Sequence, residues 1–332
     1  MLGTFDALTS ASLAQNAALP SRPPVGSGGW AWEGFRKRNT TLDSFFYDVK
    51  TLSPEEAQAL GRLGVLEGSL VLVPPSGAGE VSIWPTLDAL AAAGGGTATS
   101  LCIAGVGSSA LGSAAFARNV ADATGKPALA VVSGYGMSDL IAEALGGWFW
   151  FGGVNQARHA FEALEAHSLP APTARTDSAS TSAASTSAAS TDSAASLDKV
   201  TRNPAISRDT QVAFALLCDQ RFDFQVLTGH SKGNLVMSEA LYAFVRWSEA
   251  EQRSIPSDRL IVTFSATIAV PPAFTNVIDV LGGADPLGRL NSRWDIPVDK
   301  LAGWSGHHTN TEILGHLPVT MLLREILAAQ RP

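Results

Sequence analysis

Hydrophobic and polar positions fall into distinct stretches along the chain. Residues 1–30 are polar, small and Gly/Pro-rich, which predicts a loosely ordered N-terminal segment. Ser53-Pro54-Glu55-Glu56 has the form of a capping box with proline at the first helical position, and predicts a helix through about Gly64. Leu70 to Val73 and Val81 to Trp84, separated by a Pro/Gly-rich stretch, predict a hairpin or two early strands. From about residue 99 the chain repeats a strand, a glycine turn and a helix. Leu101–Ala104 and Ala128–Val132 are the first such strands, and 110–123 and 138–145 the first such helices.

Residues 172–198 are nearly all Ser, Ala and Thr with Asp. Such a composition buries too little apolar surface to offset the entropy of ordering it, which predicts a disordered insertion. The alternation then resumes: a helix over 205–221, a strand over 222–228 and a helix from Ser231 to about Glu251. Strands follow at 259–264 and 277–281, and a terminal helix at 318–329. The whole predicts one α/β domain over 31–332, with a mostly parallel central sheet and helices on both faces.

Composition narrows the function. The chain has 332 residues, 45% of them hydrophobic, so a sizeable core is available. Net charge is −7 and no Lys/Arg cluster stands out, which argues against nucleic-acid binding. Cys102 and Cys218 sit in apolar runs without metal-ligand spacing and are read as buried, reduced thiols; no metal or cofactor is expected. The N-terminus lacks a basic region followed by an apolar one, so no signal peptide is read and a cytoplasmic protein is expected. No apolar run reaches the roughly 18 residues of a transmembrane helix; peripheral contact with a membrane surface is compatible with this.

The chemistry concentrates at Gly229-His230-Ser231-Lys232-Gly233, a G-x-S-x-G between an apolar strand and an amphipathic helix. Glycines two residues either side of the serine allow a tight strand-to-helix turn that lifts its oxygen clear of the sheet. A serine that merely caps the following helix would fit the same pattern. The motif is similar to the nucleophile elbow of the α/β-hydrolase superfamily. The run V-L-T-G-H-S-K-G-N with the later Asp285-Pro286-Leu287 resembles class 3 (fungal-type) lipases and their bacterial relatives, over roughly 99–330. Those lipases usually have a second glycine where Asn234 stands, so the packing behind the elbow is expected to differ. The resemblance implies an α/β-hydrolase fold, a Ser-His-Asp triad and a small-molecule or lipid ester as substrate.

Serine needs a base and an orienting acid. Asp285 follows the strand 277–281 in a loop at its C-terminal end, where open α/β sheets place their chemistry. It is preferred over Asp279, whose mid-strand position aims it elsewhere. For the base, His316 directly precedes the terminal helix, where the superfamily places its histidine. It ranks ahead of His308, the alternative base, and of His307. The oxyanion is assigned to the Lys232 amide and to the loop after the first long strand, at Val106 or Gly107, with the Ser108 hydroxyl added if the likeness extends there. His230, Tyr135, Trp148 and Trp150 are candidates for the substrate side; the last two belong to an aromatic run at 147–152 that reads either as core or as a lid.

Two other readings remain. A non-catalytic hydrolase-fold binding protein would have the elbow but no histidine within reach of Ser231. Gly105 to Ala110 also fits the dinucleotide fingerprint G-x-G-x-x-G/A, although the strand that follows ends without the acidic residue such sites use for ribose.

Overall fold

A computed structural model describes residues 42–62, 67–105, 108–133 and 207–330. Residues 1–30, the insertion at 172–198, the predicted helix at 138–145, Tyr135 and the aromatic run with Trp148 and Trp150 lie outside the described residues, as do Val106 and Gly107.

After a helical segment at 42–46 the described elements are α1 (Pro54–Arg62), β1 (Leu70–Val73), β2 (Ser82–Trp84), α2 (Leu87–Ala92), β3 (Ser100–Ile103), α3 (Ala110–Thr124) and β4 (Ala128–Val131). They continue with α4 (Arg208–Cys218), β5 (Val226–His230), α5 (Lys232–Ala250), β6 (Leu260–Phe264), β7 (Val277–Gly282), α6 (Pro286–Asn291), β8 (Lys300–Ala302) and α7 (Val319–Ala329). The strands form one eight-stranded sheet in the order β2-β1-β4-β3-β5-β6-β7-β8. Strand β1 runs antiparallel to both neighbours, and every pairing from β4 to β8 is parallel. The fold is therefore α/β with a mostly parallel sheet.

Strands β3 to β6 are buried along their whole length, which requires cover on both faces. Alternation divides the core accordingly. Cys102 and Ala104 face a cluster with Phe116, Val120, Leu322 and Leu323 of α3 and α7. Leu101 and Ile103 face the opposite cluster, with Phe214, Leu217, Val236 and Leu241 of α4 and α5. Cys102 is buried and Cys218 half-buried, and both are free thiols. Three of these elements had no counterpart in the hydropathy pattern, the six-residue helices α2 and α6 and the three-residue edge strand β8, all too short to build a periodicity. Strand β5 is also shifted, ending at His230, because Phe222 and Phe224 are buried ahead of the strand rather than in it.

The chain passes from β3 to β4 on one side, then returns to β5 on the other side of β3. The carboxyl ends of β3 and β5 thus flank the switch point where open α/β sheets bind ligands. Gly105 follows β3 and Ser231 follows β5.

The capping box forms as predicted: the Ser53 amide donates to Glu56 Oε2 at 2.9 Å and the Glu56 amide to Ser53 Oγ at 3.1 Å. Glu56 also accepts from the Val81 amide at 3.0 Å and pairs with Arg118 at 2.7 Å, so one carboxylate joins α1, the hairpin and α3. The Arg118 side chain is 3% exposed. Glu56→Ala should therefore cost about 3 kcal/mol or more in urea unfolding, because it leaves a buried guanidinium without its counter-charge. The double replacement Arg118→Met/Glu56→Leu should recover most of that loss.

Candidate active site

The site begins with the turn between β5 and α5. Ser231 has φ 53° and ψ −122°, a positive-φ conformation outside the allowed αL region that costs a non-glycine residue energy. The glycines around it are required by space. A Cβ at Gly233 would lie 2.0 Å from the carbonyl oxygen of Ile103, and one at Gly229 would lie 2.5 Å from Asn234 Oδ1 and 2.7 Å from its amide. They let the first turn of α5 sit directly on the ends of β3 and β5. Asn234, where the resembled lipases have glycine, is buried and donates from Nδ2 to the carbonyls of Phe264 (2.9 Å) and Ala266 (3.2 Å). It ties the elbow to the end of β6, a different packing solution from a second glycine.

The Ser231 side chain makes no capping hydrogen bond to α5. Its hydroxyl instead lies 3.0 Å from His307 Nε2, and His307 Nδ1 lies 2.9 and 3.0 Å from the two carboxylate oxygens of Asp285. This distinguishes the residue from an ordinary N-cap serine, whose oxygen would accept from the helix amides. All three side chains are buried. Asp285 sits in the loop after β7, caps α6 by accepting from the Gly288 amide at 2.6 Å, and is followed by Pro286 at the first helical position. Burial opposes ionisation of Asp285, but the hydrogen bond and charge of His307, with the Gly288 amide, outweigh it and hold the carboxyl below its ordinary range. With Asp285 ionised, His307 Nδ1 carries the proton and donates to it. Nε2 then presents its lone pair to the Ser231 hydroxyl.

The histidine brought to Ser231 is thus His307, not His316 or His308. His316 is half-buried and forms no hydrogen bond with Ser231 or Asp285. His308, next in the chain, presents its ring edge-on to Phe45 with centroids 5.9 Å apart. The physical reason is the long return between β8 and α7. Backbone bonds from Gly306 to the Gly315 carbonyl (2.6 Å) and from Leu317 to the His308 carbonyl (2.7 Å) fold this loop against itself. The Ala284 amide donates to the Ser305 carbonyl at 3.0 Å, which sets the start of the loop beside Asp285. His307 is the first histidine beyond the C-terminal end of β8, the edge that also carries Ser231 and Asp285, but that three-residue strand left no pattern in the chain from which this could be read. Asp279 accepts a hydrogen bond from Thr263 on the adjacent strand, and burial raises it to about 6. It is not part of the hydrogen-bonded line Ser231–His307–Asp285.

His230 does not line a substrate surface. It is buried, donating from Nε2 to the His307 carbonyl at 2.9 Å and accepting at Nδ1 from the Tyr47 hydroxyl at 3.1 Å. Burial, with the neighbouring His307, pushes its imidazole down to about 3. Tyr47 was missed by sequence reading, since nothing local marks it.

On the oxyanion side, Lys232 is the first residue of α5, where the helix dipole favours negative charge. The Gly105 amide donates to the Tyr47 hydroxyl at 2.6 Å. The Ser108 hydroxyl lies 3.4 Å from both Ser113 Oγ and the Ser109 carbonyl. Asp43 accepts from the Ser109 amide at 3.1 Å and from its hydroxyl. A carboxylate therefore already occupies the N-terminus of α3 that a dinucleotide's pyrophosphate would need. Among the described residues, no group of three or more His, Cys, Asp or Glu is placed to hold a metal ion.

Comparisons of the chain with protein-family models, with curated proteins and with solved structures found no match.

His230 also sets a pH dependence. Its folded value lies below the ordinary 6.5, so the stability contributed by its neutral form is complete above pH 6.5 and is lost as pH falls toward 3. The difference in urea unfolding free energy between wild type and His230→Gln should shift against the wild type by about 1.4 kcal/mol per pH unit between pH 6 and 4. A pH-independent difference would show that His230 does not stay neutral in the fold.

Proposed function

We propose that this protein is a serine hydrolase of the α/β-hydrolase class that cleaves a carboxylic ester with an apolar acyl group. The observation that carries the reading is the continuous hydrogen-bonded line from Ser231 Oγ through His307 to Asp285, at 3.0 and 2.9 Å. A histidine within reach of the serine is what a non-catalytic relative would lack. In the reaction Ser231 attacks the ester carbonyl carbon as His307 Nε2 takes its proton. Asp285 keeps the imidazole in the required tautomer and stabilises the imidazolium. The Lys232 amide, at the N-terminus of α5, is assigned to the developing oxyanion. His307 then protonates the leaving alcohol, and water, activated by the same histidine, releases the acid and restores Ser231.

An apolar substrate is supported by exposed Phe45, Trp304 and Leu314, which flank the histidine loop in space or sequence. Among the described residues no helix is long and apolar enough to cross a membrane.

A fluorophosphonate probe tests the assignment. The wild type should label and Ser231→Ala should not. His307→Ala should label at least about 10³-fold more slowly, the scale on which a serine without its base loses reactivity. His316→Ala and His308→Ala should label at close to the wild-type rate. Labelling that survives Ser231→Ala would sink the proposal, and loss in His316→Ala but not His307→Ala would return the base to His316.

A further inference from the structure

The segment 42–52 stands outside the sheet and its covering helices, yet it touches the loop after β3, His230 beside the elbow and the histidine loop. The Thr309 amide donates to the Phe46 carbonyl (2.7 Å), Asn310 Nδ2 to the Ser44 carbonyl (2.7 Å) and the Thr311 hydroxyl to Asp48 (2.8 Å), so the histidine loop is tied to it. Asp43 and Tyr47 are four residues apart, joined by an amide-to-carbonyl bond of 2.8 Å, which puts both side chains on one side of a single turn. They reach opposite ends of the loop after β3. Tyr47 accepts from the amide of Gly105 at the start, and Asp43 accepts from the amide and hydroxyl of Ser109 at the end.

The protons in this network have one consistent arrangement. His230 Nε2 donates to the His307 carbonyl, so its Nδ1 must accept, and the Tyr47 hydroxyl supplies that proton while its oxygen accepts from Gly105. One phenol thus joins the oxyanion loop to the backbone of the base. Two glycines make room for the contact. A Cβ at Gly112 would lie 2.1 Å from Asp43 Oδ1, and one at Gly105 would lie 3.0 Å from the Tyr47 hydroxyl. Asp43 is 1% and Tyr47 2% exposed. Packing alone would be served by apolar side chains, because a buried carboxyl and phenol cost free energy unless their hydrogen bonds are made.

From this we infer that Tyr47 and Asp43 are positioning residues for the ester-cleaving reaction, holding Gly105 and Ser109 after β3 and, through His230, the backbone of His307. The inference rests on the serine-hydrolase reading. Neither residue touches the reacting atoms. They act by fixing where the donors and the base sit, so their loss should weaken the transition state more than the bound ester.

The test uses the full chain, with p-nitrophenyl butyrate as substrate and phenylboronic acid as a tetrahedral mimic. Labelling of the wild type but not of Ser231→Ala by the fluorophosphonate probe comes first, and its failure would count against the hydrolase reading itself. Given that labelling, Tyr47→Phe keeps the ring against Phe116 and His230 and removes only the hydroxyl. Its kcat should fall on the order of tenfold or more, below the 10²–10³-fold cost of losing an oxyanion donor outright. KM should stay within about twofold, and phenylboronic acid affinity should fall with kcat. Asp43→Asn should act in the same direction. The double variant should lose less than the product of the two single losses, because both act on one loop. A folded Tyr47→Phe with kcat and boronic acid affinity within about twofold of wild type would overturn the inference. If Tyr47→Phe does not fold, Asp43→Asn decides it on the same two measurements.

Discussion

The close seat of α5 on the carboxyl ends of β3 and β5 is the constraint on which the rest of the site depends. Only glycine at 233 lets the first turn of the helix approach the Ile103 carbonyl, and only glycine at 229 clears Asn234. That approach forces Ser231 into positive φ and turns its oxygen off the helix axis, where it meets His307 instead of capping α5. The strain is held because the elbow is secured on several sides. The Ser231 amide donates to the Phe264 carbonyl at 2.9 Å, and Asn234 reaches the same strand end. Strain of this kind persists only where the surroundings over-determine it.

A second level of organisation is polar and buried. Around a nucleophile on a parallel sheet, the loops have no ladder to fix them, so side-chain hydrogen bonds must. Here a neutral histidine, a phenol and a carboxylate outside the Ser231–His307–Asp285 line link the β3 loop, the elbow and the histidine loop to the 42–52 segment. Desolvation keeps His230 neutral and pushes Asp43 up to about 7, so both are costly to bury, and their hydrogen bonds offset that cost only when all partners are in place. A network with such all-or-none character suits loops that must hold one geometry.

Most of the framework was legible in the chain. Strand and helix periodicity gave β3, α3, β4, β5, α5, β6, β7 and α7 to within a few residues, because each is long enough to show its period and each is bounded by glycine, proline or a cap. The capping box at Ser53 and Glu56 needed no tertiary partner to be read. Ser231 and Asp285 were legible for a related reason: their geometry is local. A glycine-bracketed turn and an aspartate ahead of Pro286 dictate their own backbone shape, and the strands they follow fix which edge of the sheet they occupy.

Which histidine meets Ser231, and which distant residues brace it, were decided by tertiary structure. His307, His308 and His316 lie in one return loop, and sequence order alone ranks them by distance from the terminal helix. What selects His307 is a set of backbone bonds between residues 284 and 305, 306 and 315, and 308 and 317, together with a three-residue strand too short to show a pattern. Tyr47 and Asp43 lie 58 and 66 residues from their partners in the β3 loop, and Tyr47 lies 183 from His230. Local sequence determined where Ser231 and Asp285 would stand, because turns and caps are short-range. The choice of histidine, and of the residues that hold it, depends on which distant segments meet, and only the closed fold settles that.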